Sequence, residues 1–444
     1  MDRAYAQALD ADDPLARFRE AFVLPEGVTY LDGNSLGPLP RAAAARLAEA
    51  AEREWGQGLI TSWNAAGWID APARAGAKLA RLIGAQAHEV VVADSTSVNL
   101  FKLAAGALSL RPGRRTIITE SGNFPTDVYV LEGVCAMAGA TLKVLAPEDV
   151  VGAIDEDTAA VVLTHVHYKT AARRDMAAVT AAAHAGGALM LWDLSHTTGA
   201  VAADLNACEA DLAVGCGYKY LNGGPGAPAF LFVAERHQPA IRSPLSGWMG
   251  HAAPFAFEDR YRPSGDIRSM LCGTPPILGL AALEAALDLQ LEADPKAVEA
   301  KGQSLCRLFI DLVEARCAGH GLVLTGPRDM AERGLHVSFA HPDGYALVQA
   351  LIARGVIGDF RDPDIARFGF SPLYLSHADV WDAVEILREI LETGAHERAE
   401  YRTRAAVTSR HVWRTRTVRL AIPPRQVARA CSGSEKPPHA RRSD

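Results

Sequence analysis

The chain has 444 residues, 49% of them hydrophobic and 22% charged, and a formal net charge of −7. That length exceeds one ordinary domain and suits two lobes, each with its own core. The composition is globular and its net acidity gives no general affinity for nucleic acid; no apolar run reaches the ~20 residues of a membrane-spanning helix, and seven scattered cysteines without a C-x-x-C pair exclude a disulfide framework or a structural zinc site.

The N-terminal stretch MDRAYAQALDADDPLARF is acidic and lacks the basic and apolar regions of a signal peptide, so a cytoplasmic location is expected. Residues 42–56 are alanine-rich with apolar positions at helical spacing and read as a helix. From about residue 85, short apolar runs alternate with helix-forming stretches: 89–93, 116–119, 159–163, 188–192, 212–215 and 229–233. Each run is apolar on both faces and bounded by Gly, Pro, Asp or Ser, as in the strands of a buried parallel or mixed sheet. Lys143 ends a further, amphipathic strand, and 100–110 and 176–185 read as helices. The sum is an α/β domain with its sheet covered on both faces.

After Pro275 the texture shifts to helices at 277–291 and 296–318, strand-like runs at 335–339 and 367–370, and a last helix at 380–393. The expected organisation is therefore a large domain over 46–275, a smaller α+β domain over 276–408 joined by an N-terminal segment 1–45, and a basic tail over 409–444. From Arg402 onward eleven Lys and Arg face two acids, a charge of +9 that leaves −16 on the rest. Its composition favours a solvated or disordered extension over a surface for an acidic partner.

The chemistry gathers at strand ends. In open α/β sheets ligands sit at the carboxyl ends of strands, and Asp193 ends one apolar run while Tyr218 and Lys219 end the next. Pyridoxal 5′-phosphate (PLP) needs such a pair: a lysine for the Schiff base and a carboxylate for the pyridine nitrogen, which keeps that nitrogen protonated and the ring electron-withdrawing. Of eight lysines, only Lys219 sits among glycines (Gly215, Gly217, Gly223, Gly224) that let backbone and cofactor approach closely. Lys78, Lys296 and Lys301 have solvated helical settings, Lys102 follows a helix start, and Lys169 lies in the loop HVHYKT. An ordinary surface lysine after a strand is the other reading of Lys219.

In ADSTSVNL, Thr96 and Ser97 open a helix, which suits either a phosphate or a plain N-cap. ESGNFPTDVY puts Phe124 and Asp127 in a Pro-containing loop, where Phe124 can stack on a ring or simply pack. His196, three residues past Asp193, can bond the phosphate, orient Asp193, or be structural. His165 and His167 alternate without a third ligand, so no metal is expected, and Gly223, Gly224 and Gly226 make no dinucleotide fingerprint.

Together the segments YLDGNSLGPLP, ADSTSVNLFK, ESGNFPTD, WDLSHTTGA, GCGYKYLNGGPG, PLSGWMGH, CGTPPIL and RFGFSPLYL resemble, in family order, the kynureninases of the fold-type I PLP enzymes. The resemblance spans roughly residues 5–408. It implies a large domain with a mostly parallel seven-stranded sheet covered by helices, plus a smaller α+β domain. It further implies that Thr96, Ser97, Phe124, Thr126, Asp127, Thr164, Asp193, His196, Tyr218 and Lys219 hold PLP, with Lys219, Tyr218 and Asp193 catalytic. Trp248 and Thr274 match residues that reach the cofactor from a neighbouring subunit, so a homodimer with shared sites is implied. Arg367 matches an arginine that binds the substrate α-carboxylate, a task suited to its forked donors, and Trp63, Gly273 and Thr274 match a bacterial-type pocket that prefers L-kynurenine to its 3-hydroxy form.

The implied reaction is hydrolysis of L-kynurenine to anthranilate and L-alanine, with no metal, nucleic acid or membrane involved. The chain departs from the family at Ala171, where a glycine is expected, and in its basic tail. A desulfurase or selenocysteine lyase would need a reactive cysteine, for which Cys272 is the placed candidate; an aminotransferase would keep Lys219 and Asp193; a binding or regulatory protein would have lost the Lys219, Asp193 and Arg367 set.

Overall fold

The computed structural model describes residues 1–404, so the expectation for the 409–444 tail lies outside the described residues. Seven strands form the large sheet: β1 (Val90–Val92), β2 (Thr116–Glu120), β3 (Thr141–Leu145), β4 (Thr158–Thr164), β5 (Leu189–Asp193), β6 (Leu212–Gly215) and β7 (Phe230–Val233). Their order is β1-β7-β6-β5-β4-β2-β3. β7 is antiparallel to both neighbours and every other pairing is parallel.

All but the edge strand β3 are buried along their whole length. A strand covered on both faces needs apolar side chains at every position, which is why these runs lack alternation. Val90, Val92, Val161 and Trp192 join one core layer, while Val91, Ala160, Val162 and Leu191 join the other. Helices α1 (Ala71–Ile83), α2 (Thr96–Leu110), α3 (Pro125–Ala138) and α4 (Met176–Ala185) accompany the sheet. The helix read over 42–56 begins at Arg41–Glu49 and continues as a π-helix over Ala50–Gly58.

The reading of Phe124 and Asp127 as loop residues is corrected here. The segment around Pro125 is a helix start and not a loop, with Phe124 as its N-cap and Asp127 in its first turn. Proline is well suited to the first helical turn, where its missing N–H has no partner to lose. Helix α5 (Ile277–Leu291) buries Leu280, Leu283 and Leu287 in one core with Phe230 and Phe232 of the large sheet.

Beyond it come α6 (Pro295–Arg316) and four antiparallel strands, β8 (Val323–Thr325), β9 (His336–Ala340), β10 (Asp359–Arg361) and β11 (Ile365–Gly369), ordered β8-β9-β11-β10. Helices α7 (Gly344–Ala353) and α8 (His377–Glu392) complete this part, and Ala6, Leu15, Phe18 and Phe22 share its core.

Lys301, expected in solvent, is instead buried. Its Nζ lies 2.6 Å from Asp13 Oδ2 and donates to the Pro372 carbonyl at 2.6 Å. An ion pair with both side chains under a tenth exposed is costly to break singly, because the survivor keeps its charge without a partner. Lys301→Met is expected to lower unfolding free energy by about 3–5 kcal/mol, with part of the loss recovered in Lys301→Met/Asp13→Asn. Denaturant melts of the three proteins measure this. Ala171 takes φ +61°, so the loop keeps the left-handed conformation a glycine would suit, and its N–H still donates to the His167 carbonyl at 2.9 Å.

Candidate active site

The carboxyl ends of β4, β5 and β6 converge on one point. Thr164 and Asp193 end adjacent strands in register, and Tyr218 and Lys219 follow β6. The turn carrying Lys219 closes on itself, with Gly223 N–H donating to the Gly217 carbonyl at 2.9 Å. The N-terminal segment docks here as well, since Gly37 N–H donates to the Tyr218 carbonyl at 2.8 Å. A Cβ at Gly37 would run into the Lys219 carbonyl and Asn222, so only glycine permits this approach.

A cavity of about 190 Å³ is lined by Thr96, Ser97, Phe124, Thr126, Asp127, Thr164, Asp193, His196, Tyr218 and Lys219. Tyr168 and Ser195 also line it, and sequence reasoning missed both. Their signal was position: Tyr168 stands in HVHYKT just past the end of β4, and Ser195 two residues past Asp193. Trp63, Trp248, Gly273, Thr274 and Arg367 do not line this cavity. Trp63 and Trp248 instead pack edge-to-face on each other at 6.3 Å, and Gly273 and Thr274 are exposed. Cys272, the desulfurase candidate, is half-buried with its thiol donating to the Leu245 carbonyl, and burial pushes that thiol's pKa up, away from thiolate.

The electrostatics of the cavity are ordered. Asp127 is 3% exposed and its carboxyl is held well above the usual range, first by burial and then by the neighbouring Asp193. Asp193 Oδ1 accepts the Ser195 N–H at 2.7 Å. Asp127 therefore keeps its proton more readily than a second charge beside Asp193. His196, which the sequence left between phosphate, Asp193 and structure, has its Nε2 3.1 Å from Lys219 Nζ. Burial and then the Lys219 charge press its imidazole well below its normal pKa, so the ring is neutral. Burial raises the Tyr218 phenol, which stays protonated.

At the other end, Ser95 caps α2 and accepts the Val98 N–H at 3.4 Å, leaving the first turn's donors at Thr96 and Ser97 open to an anion. Phe124 is 41% exposed and stands edge-to-face to Tyr168 at 5.3 Å. Asp127 Oδ2 is buried without a hydrogen-bond partner. An orphaned carboxyl oxygen, a lysine, an accessible ring face and an anion-ready helix start are the donor set that PLP requires, and the residues fit it.

Arg367 is itself fully buried, within a neighbouring polar cluster. Its Nε donates to Asp359 Oδ1 at 2.8 Å, Nη1 to the Tyr168 carbonyl at 2.6 Å and Nη2 to Ser35 Oγ at 2.9 Å. A larger cavity of about 920 Å³ adjoins the first, sharing Phe124 and Tyr168, and is lined also by Asp32, Asp359 and Arg361. Among the described residues no group of three or more His, Cys, Asp or Glu is placed to hold a metal, and no helix is long and apolar enough to cross a membrane.

Comparison with known proteins is consistent with this geometry. Residues 298–387 match the kynureninase C-terminal domain family. The chain is 54% identical over 408 residues to a kynureninase of Pseudomonas fluorescens, covering 90% of this chain and 98% of that one. It is 52% identical over 413 residues to a kynureninase of Burkholderia mallei strain SAVP1, covering 91% and 99%. Among solved structures, the apo cysteine desulfurase of Thermococcus onnurineus NA1 superposes with a TM-score of 0.71 at 18% identity, covering 85% of this chain and 98% of that one. A lysine-to-alanine mutant of C-DES with glycine covalently linked to its PLP cofactor gives 0.72 at 17% identity, covering 83% and 98%. These two share the fold. The identity and coverage of the two bacterial relatives place the function: the chain belongs to the kynureninase family.

Proposed function

We propose that this enzyme hydrolyses L-kynurenine to anthranilate and L-alanine with PLP held in the 190 Å³ cavity. The observation that carries the reading is that Lys219, the Asp193–Asp127 pair and the Thr96–Ser97 helix start line one cavity in a chain of this family. Bound there, PLP supplies an electron sink conjugated to the substrate's α-carbon. Thr96 and Ser97 would hold its phosphate, with Thr126 and Thr164 contributing hydroxyls, and Phe124 would offer a ring for it to stack on. Asp193, backed by Asp127, holds the proton at the pyridine nitrogen.

Lys219 Nζ, oriented by His196 Nε2, takes the proton from the substrate α-carbon. Water then adds to the γ-ketone and the Cβ–Cγ bond breaks, with anthranilate leaving first. The Tyr218 hydroxyl supplies a proton in this second half, a role that its raised pKa suits because the group carries its proton at neutral pH. Arg367 receives the α-carboxylate. Trp248 and Thr274 of a second copy complete each site in a homodimer; in support, both stay clear of their own chain's cavity. The enzyme works in the cytoplasm, with its large domain over 46–275 and its small domain over 276–408.

Trp63, Gly273 and Thr274 set the aryl pocket. A higher kcat/KM for L-kynurenine than for 3-hydroxykynurenine is expected from parallel assays of anthranilate and hydroxyanthranilate formation. The reverse ratio overturns the assignment of that pocket, and no anthranilate from PLP-loaded protein overturns the activity itself.

A further inference from the structure

We infer that Arg361 is a second recognition residue for the substrate carboxylate, acting beside Arg367 at the mouth of the cofactor cavity. The inference rests on the assignment of Arg367 made above and deepens it.

The two arginines share one acid. Arg361 Nη2 donates to Asp359 Oδ2 at 2.6 Å and lies 3.3 Å from Ser35 Oγ, and the same Asp359 and Ser35 groups hold Arg367. Their exposure differs sharply. The Arg367 side chain is 1% exposed, with all three guanidinium nitrogens already donating, whereas the Arg361 side chain is 32% exposed and lines the 920 Å³ cavity. A carboxylate arriving through that cavity meets Arg361 first.

Arg361 also has a donor to spare. Its Nε is buried and has no hydrogen-bond partner, a state that is unfavourable unless something accepts from it. The exposed part of the guanidinium lines the cavity, and forked donors of this kind suit the two oxygens of a carboxylate. The residue is close enough to the reaction for its charge to act on both Tyr218 and His196.

Charge balance points the same way. Asp359 neutralises one of the two arginines. The other nearby acid, Asp32, is pushed up to about 8, chiefly by burial and then by Asp359, and so is neutral at pH 7. The cluster of Asp32, Asp359, Arg361 and Arg367 then carries one unbalanced positive charge, the complement of a monocarboxylate. Arg367 alone, tied to Asp359, offers none.

The test measures KM and kcat for L-kynurenine, and the inhibition constant of its decarboxylated amine, in wild type, Arg361→Met, Arg361→Lys and Arg367→Met, each checked for PLP content and fold by circular dichroism. Loss of one charge-assisted contact is expected to raise KM about 10–100-fold in Arg361→Met, more than kcat falls, while the amine binds as in wild type. Arg361→Lys is expected to recover part of the loss. An equal effect on both ligands would show a merely structural role, and no effect on either would also overturn the inference. If Arg367→Met alone erases the preference for the carboxylate-bearing ligand, Arg361 is not a recognition residue and the assignment of Arg367 stands. If neither variant changes that preference, both fail.

Discussion

Lys219→Ala is expected to abolish kynurenine turnover and the visible absorbance of lysine-bound PLP, while leaving the protein folded. Among the described residues it is the only lysine lining the cofactor cavity. Its closest rivals are spoken for: Lys102 is fully buried, with Nζ 2.7 Å from Asp94 Oδ2 and 2.7 Å from the Met270 carbonyl. Lys169 stands in the larger cavity with Nζ donating to the Asp362 carbonyl at 3.0 Å. Lys169→Ala is therefore expected to keep the absorbance. Persistence of that absorbance in Lys219→Ala, with loss in Lys169→Ala, would mean the covalent link lies elsewhere.

The second large effect separates two carboxylates that look alike in the sequence. Asp193→Asn is expected to lower kcat by about 10²–10³-fold, the usual loss when a buried group that stabilises developing charge is neutralised. Asp127→Asn is expected to cost far less. Burial and the adjacent Asp193 already favour the protonated, neutral form of Asp127, which an amide imitates. Steady-state kinetics of both variants at saturating PLP decide this. Equal losses would show that the pyridine nitrogen depends on both charges, and a larger loss at Asp127 would exchange their roles.

Much of the fold was legible because burial left a plain signature. Strands β4 to β7 are covered on both faces, so their sequences are apolar almost throughout, and β5 and β6 end at Asp193 and Gly215. Helix α3 was not legible: Val128, Val130 and Gly133 are poor helix formers, and Pro125 before them reads as a loop until its place in the first turn is known. The burial of Lys301 was hidden for a different reason. Its partner Asp13 is far away in sequence, and no local pattern announces such a pair.

The site divides in the same way. Residues at strand ends and helix starts, such as Asp193, Lys219 and Thr96, follow from topology once the strands are found. The cluster of Ser35, Asp359, Arg361 and Arg367 does not, because it joins an N-terminal loop to two short neighbouring strands. Ser35 and Asp359 acquire meaning only through the arginines they hold.

The central claim is hydrolysis of the Cβ–Cγ bond, and product stoichiometry tests it most directly. Purified PLP-loaded enzyme is mixed with excess L-kynurenine, and anthranilate fluorescence and L-alanine are measured together over many turnovers. Equal amounts of anthranilate and L-alanine, each far exceeding the enzyme, are expected. A single burst matching the enzyme, with no anthranilate and the cofactor left as pyridoxamine phosphate, would instead mark an aminotransferase and contradict the assignment.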